Sequence, residues 1–399
     1  MQVRLLNNTD LIQAQHLWDY SFEKKDTPFF QWYFNEYVTA HNIIGYFAQD
    51  KLLTMLCANP YQMQINNNPV TTRYIVGVTT APEARGLGTF SQLLAYTFRK
   101  LQTENIYIVL LKPIVAKLYT HYGFAFCHNH LRYNLTLEQL SFFQKDNTIE
   151  LKLFDLASCA IQDLQEIYTS SLANYNGYIL RSNLDFQNLL KVHFLEGGHL
   201  LIAYKNKQPL GYLLYHFDSE AFTISELMTA DATCQNTFLN FVYQHRTQTK
   251  LCKWRATPDN LAYLNLDIKQ ADDFNFPQLA PFMMARIINV QEALVNLNCI
   301  IEPNIAIKLA IKIEDSFVKE NNAVFSLKTL PNNKLFVEKS ELAEFQIQMS
   351  ISTFTQLYLG AYPVDSLIRQ DLIKATNPKY VAILQLLFPP KTNYINEEF

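Results

Sequence analysis

The sequence predicts an α/β protein in which strand-and-helix units recur along the chain, and three observations carry that prediction. Glycine is scarce, 10 in 399 residues, yet Gly77, Gly86 and Gly88 fall within one stretch of twelve. Phe90, Leu93, Leu94, Thr97, Phe98 and Leu101 follow at the spacing of one helical face. Short apolar runs of strand length flank that helix, and a similar order of strands and helix returns between residues 200 and 245.

Taken in order, Asn42–Ala48 and Leu52–Ala58 read as strands joined by a turn at Gln49-Asp50-Lys51, and Tyr74–Thr80 is a β-rich run entering Pro82 and the glycine cluster. After the helix, Ile106–Leu111 is a continuous apolar run, the signature of a buried strand. Leu118–Tyr122 opens a further helix and Phe124–Leu135 returns as a strand. A second unit begins near Glu150, after the polar stretch Gln144-Lys145-Asp146-Asn147, with strands at Leu200–Tyr204 and Gly211–His216 and a helix at Asn236–His245. A third begins after Pro281. There Ile305, Ile307, Leu309, Ile311 and Ile313 alternate, as do Phe345, Ile347, Met349 and Ile351, and helices follow at Thr353–Leu359 and Lys379–Leu387.

The length calls for more than one core, and 49% apolar with 14% aromatic residues is ample to fill several. With 33 basic and 36 acidic residues the chain carries no overall footprint for nucleic acid or an anionic membrane. Residues 1–137 are net +3 and the remainder net −6, which makes the first third the better place for an anionic ligand. Six separated cysteines, at 57, 127, 159, 234, 252 and 299, form no Cys-x-x-Cys pair. Without a targeting segment at Met1–Asp10 they read as reduced thiols of a cytoplasmic protein. No run of 18 apolar residues occurs, so no transmembrane helix is expected.

The chemistry concentrates at Val78-Thr79-Thr80-Ala81-Pro82-Glu83-Ala84-Arg85-Gly86-Leu87-Gly88-Thr89-Phe90-Ser91. A strand, a glycine turn and a helix N-terminus gather free backbone N–H groups in one concavity, which suits a pyrophosphate, and Arg85 adds a guanidinium. By itself the segment is equally an ordinary strand-to-helix connection. No Gly-Lys-Ser/Thr follows, so it is not a P-loop, and the spacing of a dinucleotide fingerprint is missing.

Arg85-Gly-x-Gly after the Val-x-Thr strand resembles the acetyl-CoA motif of the GCN5-related N-acetyltransferases. Phe90 departs from the usual last position of that motif, and a large apolar residue there is similar to the Eis (enhanced intracellular survival) type. Leu118-Tyr119-Thr120-His121-Tyr122-Gly123-Phe124 resembles the family's Tyr-x-x-x-Gly-Phe/Tyr segment, and Pro281–Arg286 and the last residue, Phe399, match further along. The resemblance spans nearly the whole chain. It implies an active acetyltransferase domain over about 1–137, a degenerate copy over about 150–285 and a sterol-carrier-like α+β domain over about 288–399.

For the site, the resemblance implies that Val78, Thr79 and Thr80, with Arg85, Gly86, Leu87, Gly88, Thr89, Phe90 and Ser91, hold acetyl-CoA. The N–H near Val78 would serve the oxyanion, Tyr119 would protonate the leaving thiolate, and the carboxylate of Phe399 would act as base. It further implies a small-molecule amine or lysine acceptor, no metal, and a symmetric homo-oligomer up to a hexamer. From the residues alone, Tyr119 is one of 23 tyrosines and could simply pack, and the last residues of a chain usually fray. Trp18, Phe22, Phe29, Phe30, Trp32 and Tyr33 read first as core and second as the wall of an acceptor pocket. His121 could line the pocket or be solvated. Cys127-His128-Asn129-His130 superficially resembles a metal cluster, but alternate strand positions face opposite sides. In the second unit, Thr229–Asn236 holds neither Gly nor Arg where a cofactor loop should sit, so no CoA is expected there. The competing expectation is an acetyl-CoA- or lipid-binding protein without turnover.

Overall fold

Gln49 and Asp50 both take positive φ, 48° and 63°, and close a tight hairpin between β2 (Ile43–Ala48) and β3 (Lys51–Ile65). Asn66 and Asn67 do the same, at 52° and 63°, between β3 and β4 (Asn68–Thr80). With β1 (Gln2–Leu5) these strands make an antiparallel meander in the order β1-β2-β3-β4. The chain then crosses over through a helix to a parallel strand. This computed structural model describes residues 2–267, 276–297, 307–330, 335–340 and 344–399; Cys299 and Ile305 lie outside the described residues.

Contacts divide the chain into two units, one of Met1–His128, Asn176–Leu180 and Phe282–Phe399, the other of Asn129–Tyr175 and Arg181–Pro281. In the first, α1 (Leu11–Ser21) and the short α2 (Pro28–Trp32) lie between β1 and β2, and α3 (Thr89–Thr103) makes the crossover to β5 (Ile108–Leu111). Leu93, Leu94, Thr97, Phe98 and Leu101 are the buried face of α3, packed with Leu56, Ile75, Val109 and Phe124. The short α4 (Ala116–Thr120) leads to β6 (Ala125–Thr136), of which residues 125–128 belong to this unit.

The same unit holds a five-stranded sheet in the order Leu335–Ser340, Val324–Thr329, Lys308–Glu314, Ile347–Ser350, Ile373–Ala375. Helices Ile351–Tyr358 and Pro378–Leu387 accompany it. The alternation expected to carry the strand through Ile351 stops one residue earlier. Ser350 accepts from the Thr353 amide at 3.2 Å and caps a helix that starts at Ile351. A further helix, Val364–Arg369, is too short to show a period in sequence. The strand expected at Tyr74–Thr80 is the second half of the longer β4.

The second unit repeats the plan. Strands Glu150–Phe154, His199–Lys205, Gln208–Phe217 and Ala221–Thr229 form an antiparallel run, and helix Ala232–Tyr243 crosses to the parallel strand Leu251–Ala256. Its core gathers Leu135, Leu201, Leu213, Phe222, Phe238 and Trp254.

Candidate active site

Two departures from regular pairing open the site. Met55 faces Thr79 while Cys57 faces Val76, so β4 carries one extra residue at Gly77–Val78. A bulge of this kind breaks the ladder locally and bends the strand. On its other side, β4 pairs in parallel with β5 at Arg73–Val109 and Tyr74–Leu110, and the register stops there. Beyond Tyr74 the strands part, leaving a crevice at their carboxyl ends. Gly77 is required at the bulge: φ is +61°, and a Cβ would stand 2.2 Å from Trp18 Cζ3.

The first cavity in this region has a volume of about 620 Å³. It is walled by Val78, Thr79 and Thr80, by the turn Ala84–Gly86, and by Gly88, Thr89, Phe90 and Ser91 at the start of α3. Gly86 and Gly88 sit at φ +77° and +71° with nothing within 4 Å of where a Cβ would be, so the backbone itself is the cavity surface. Gly88 is the N-cap of α3 and offers no side chain to the first-turn amides, which leaves them and the positive end of the helix to an outside anion. Arg85 is exposed, its Nε donating to Thr80 O at 3.3 Å. Leu87 points outward, 65% exposed, and does not line the cavity. Thr79 and Ser21 share a 2.5 Å hydroxyl contact that pins the bulged strand to α1. These residues fit the pyrophosphate and pantetheine arm of a coenzyme A thioester: a glycine-lined surface, free amides and a guanidinium.

A second cavity, of about 260 Å³, lies where β4 and β5 part. Trp18, Phe22, Phe29, Tyr74–Val78, Lys112–Ile114, Tyr119, Glu398 and Phe399 line it. It shares Phe22 and Val78 with the first cavity. Tyr119 is 9% exposed, with its ring edge-on to Phe90 at 6.1 Å and to Phe124 at 6.0 Å. Burial disfavours the phenolate and pushes this hydroxyl up to about 12. Phe399 seats its ring among Phe29, Trp32 and Tyr37, with centroids 5.8, 5.0 and 5.5 Å away. Its main-chain oxygen accepts from Tyr61 Oη at 2.6 Å, and Tyr61 Oη also meets Tyr37 Oη at 3.1 Å.

The sequence-predicted residues therefore fall into two groups: all the loop residues except Leu87 at the first cavity, Tyr119 and Phe399 at the second. The aromatic stretch divides. Trp18, Phe22 and Phe29 wall the second cavity, whereas Phe30 and Tyr33 pack inside and Trp32 backs Phe399. His121 is exposed. Cys127 Sγ donates to Ala125 O and His128 Nε2 meets Gly177 O at 2.8 Å, both within the fold. Sequence reasoning missed Tyr61, Tyr74, Glu23, Lys112 and Glu398. Glu23 accepts from Trp18 Nε1 at 2.9 Å, Lys112 pairs with Glu398 at 2.7 Å, and Tyr74 Oη reaches Glu398 O at 3.3 Å. Only the Lys112-Pro113 step straight after a buried strand offered any signal.

Known proteins share this fold. Residues 2–127 match the model of an acetyltransferase (GNAT) domain, residues 177–287 a second acetyltransferase (GNAT) domain, and residues 290–396 a sterol carrier protein domain. The chain belongs to the GNAT acetyltransferases and is an acyltransferase enzyme with two such folds in tandem. Its whole-chain fold is shared with a probable N-acyltransferase of Enterococcus faecalis V583, at TM-score 0.87 and 19% identity over 100% of this chain and 99% of that one. It is shared with a GCN5-related N-acetyltransferase of Anabaena variabilis, at TM-score 0.82 and 17% identity over 100% of both chains. Eis1 of Mycobacterium abscessus has the same architecture, at TM-score 0.75 and 13% identity over 100% of both chains. No curated protein sequence matches the chain. Among the described residues no helix is long and apolar enough to cross a membrane.

Proposed function

We propose that this chain transfers an acetyl group from acetyl-CoA to a primary amine by direct attack, and that one observation carries the reading. The cavity of the glycine loop and the cavity holding Tyr119 and Phe399 share Phe22 and Val78 as walls. A donor in the first and an acceptor in the second meet beside the β4 bulge.

When bound, acetyl-CoA supplies the thioester carbonyl that the amine attacks. The first-turn amides of α3 and Arg85 hold its phosphates, while Val78, Thr79 and Thr80 receive the pantetheine arm along the open edge of β4. The amide near Val78, freed by the bulge, donates to the carbonyl oxygen as negative charge develops there. The carboxylate of Phe399 takes a proton from the incoming ammonium, and the Tyr119 hydroxyl gives one to the departing thiolate. Burial keeps that hydroxyl protonated at neutral pH.

The acceptor is a cationic amine, such as an aminoglycoside-like polyamine or a lysine side chain. Support comes from the second cavity, where Glu23, Glu398 and the Phe399 carboxylate meet a single lysine, Lys112, already paired with Glu398. The domains divide at about 1–137, 150–285 and 288–399, the chain acts in the cytoplasm, and it assembles as a symmetric oligomer. The second acetyltransferase fold holds no CoA: Asp231 caps helix Ala232–Tyr243, accepting from Cys234 N at 2.9 Å, and sets a carboxylate where a phosphate would need to lie.

Free CoA thiol released from acetyl-CoA against a panel of primary amines tests this reading. Amine-dependent release that is lost in Tyr119→Phe supports it. Acetyl-CoA binding without release on any amine makes the chain a binding protein instead.

A further inference from the structure

The segment Asn176–Leu180 belongs to the first unit although its neighbours in sequence do not. Tyr178 and Ile179 pair with Gln64 and Met63 of β3, and the amides of Gly177 and Leu180 donate to Gln64 O and Gln62 O, each at 2.8 Å. At the head of this segment stands Asn176, 5% exposed, with every polar group engaged. Its Oδ1 accepts from Asn66 N at 2.8 Å. Its Nδ2 donates to Asn393 Oδ1 at 2.7 Å and to Leu359 O at 3.0 Å. Its amide donates to Thr392 O at 2.9 Å and its carbonyl accepts from Tyr394 N at 3.1 Å.

Four of these five bonds join Asn176 to the strap that follows helix Pro378–Leu387 and to its flank at Leu359, and the fifth joins Asn176 to the β3–β4 turn. Others reinforce them. Lys391 Nζ donates to Asn66 Oδ1 at 2.5 Å, Lys391 N to Gly360 O at 2.8 Å, and Asn393 Nδ2 to Cys127 O at 3.1 Å. Residues 391–394 form no helix and only one isolated bridge, Asn176 with Asn393, so side-chain bonds do here what a sheet would otherwise do. Five residues beyond Tyr394 the chain reaches Phe399 in the second cavity.

We propose that Asn176 is a positioning residue for Phe399: a buried amide hub that fixes the strap and so sets where the Phe399 carboxylate lies beside the acceptor. Asparagine suits the task because one side chain supplies an acceptor and two donors in a plane. Aspartate would turn an acceptor toward Asn393 Oδ1 and Leu359 O, and leucine would satisfy none of the three partners. The proposal rests on the reading of Phe399 as base.

The test uses the full chain and two readouts. One is carboxypeptidase release of Phe399, followed by mass spectrometry. The other is steady-state thiol release, giving kcat and the KM for acetyl-CoA. In Asn176→Ala, Phe399 should be released about tenfold faster, because release follows the population of the loosened strap. Its kcat should fall about 10²-fold, the cost of a reacting group misplaced by about 1 Å, with the KM for acetyl-CoA changed by less than about twofold. In a chain lengthened by one glycine after Phe399, Asn176→Ala should add no further loss. Lys391→Met, which removes one tie and spares the hub, should move both readouts the same way by less, and it carries the test if Asn176→Ala does not fold. Unchanged release of Phe399, or an equal loss of kcat in the lengthened chain, overturns the proposal. If the added glycine alone leaves kcat intact, the reading of Phe399 as base falls, while the release rates still decide whether Asn176 anchors the strap.

Discussion

Tyr61 Oη donates to the main-chain oxygen of Phe399 across 2.6 Å, joining β3 to Phe399. The ring of Phe399 is enclosed by Phe29, Trp32 and Tyr37 at the same time, so both ends of the residue are held. A single glycine appended after Phe399 would move the charge by about 3.5 Å, beyond the reach of this arrangement. We expect kcat to fall by about 10²–10⁴-fold, the usual worth of a general base, with the KM for acetyl-CoA unchanged. Steady-state kinetics on the lengthened chain check this, and full activity would remove the carboxylate from the mechanism.

In the proposed mechanism Tyr119 acts as an acid, so its pH dependence has a definite sign. Burial raises the hydroxyl from 10 to about 12, and the proton is therefore present throughout the neutral range and is lost only as pH climbs through about 12. Between about pH 7 and pH 10, kcat should show no decline from this group, and Tyr119→Phe should lower kcat about 10²-fold or more across that whole range. A wild-type decline centred near pH 8 that disappears in Tyr119→Phe would contradict the assignment.

The glycines of the site separate stability from binding. Gly77→Ala drives a Cβ to 2.2 Å from Trp18 Cζ3 at φ +61°, and we expect it to cost about 2–6 kcal/mol from backbone strain and overpacking together. Gly88→Ala meets nothing within 4 Å, so it should cost only the left-handed backbone penalty, about 1–2 kcal/mol. Its methyl group would instead stand on the cavity surface, raising the KM for acetyl-CoA about tenfold or more. Thermal denaturation and steady-state kinetics on both variants test the contrast. Equal effects on both readouts would defeat it.

Arg286 and Asp315 form a pair with side chains 0% and 1% exposed, bonded at 2.7 and 3.0 Å. The two partners are not equally provided for. Asp315 also accepts from Phe317 N, Val318 N and Asn321 Nδ2, whereas Arg286 otherwise donates to Ile287 O. Asp315→Ala, which strands a buried guanidinium, should therefore destabilise by about 3–5 kcal/mol, and Arg286→Met by less. Denaturant titration of both variants decides the order.

Much of the fold was legible because it rests on local pattern. The α3 face from Phe90 to Leu101, the Gln49-Asp50 turn and the run at Ile106–Leu111 all emerge where the periodicity put them, within two residues at the ends. The glycine loop was legible as a turn into a helix N-terminus because Gly86, Gly88 and Thr89 are neighbours in sequence. The rest depends on pairings between distant residues. The extra residue at Gly77–Val78 exists only relative to β3, and the parting of β4 from β5 only relative to their shared register. Tyr74 looked like a strand tyrosine and Tyr61 lay beyond the strand expected at Leu52–Ala58, and the bonds to Glu398 and Phe399 set them apart. Asn176 carries no motif at all, since its role is made by Asn66, Leu359 and Asn393, each more than a hundred residues away.

The most direct test of the account is the release of free CoA thiol from acetyl-CoA by the purified chain, measured with and without a cationic primary amine. Amine-dependent release that disappears in Tyr119→Phe and collapses when a glycine follows Phe399 is the predicted result. Tight acetyl-CoA binding with no release on any amine, or release indifferent to both changes, would contradict it.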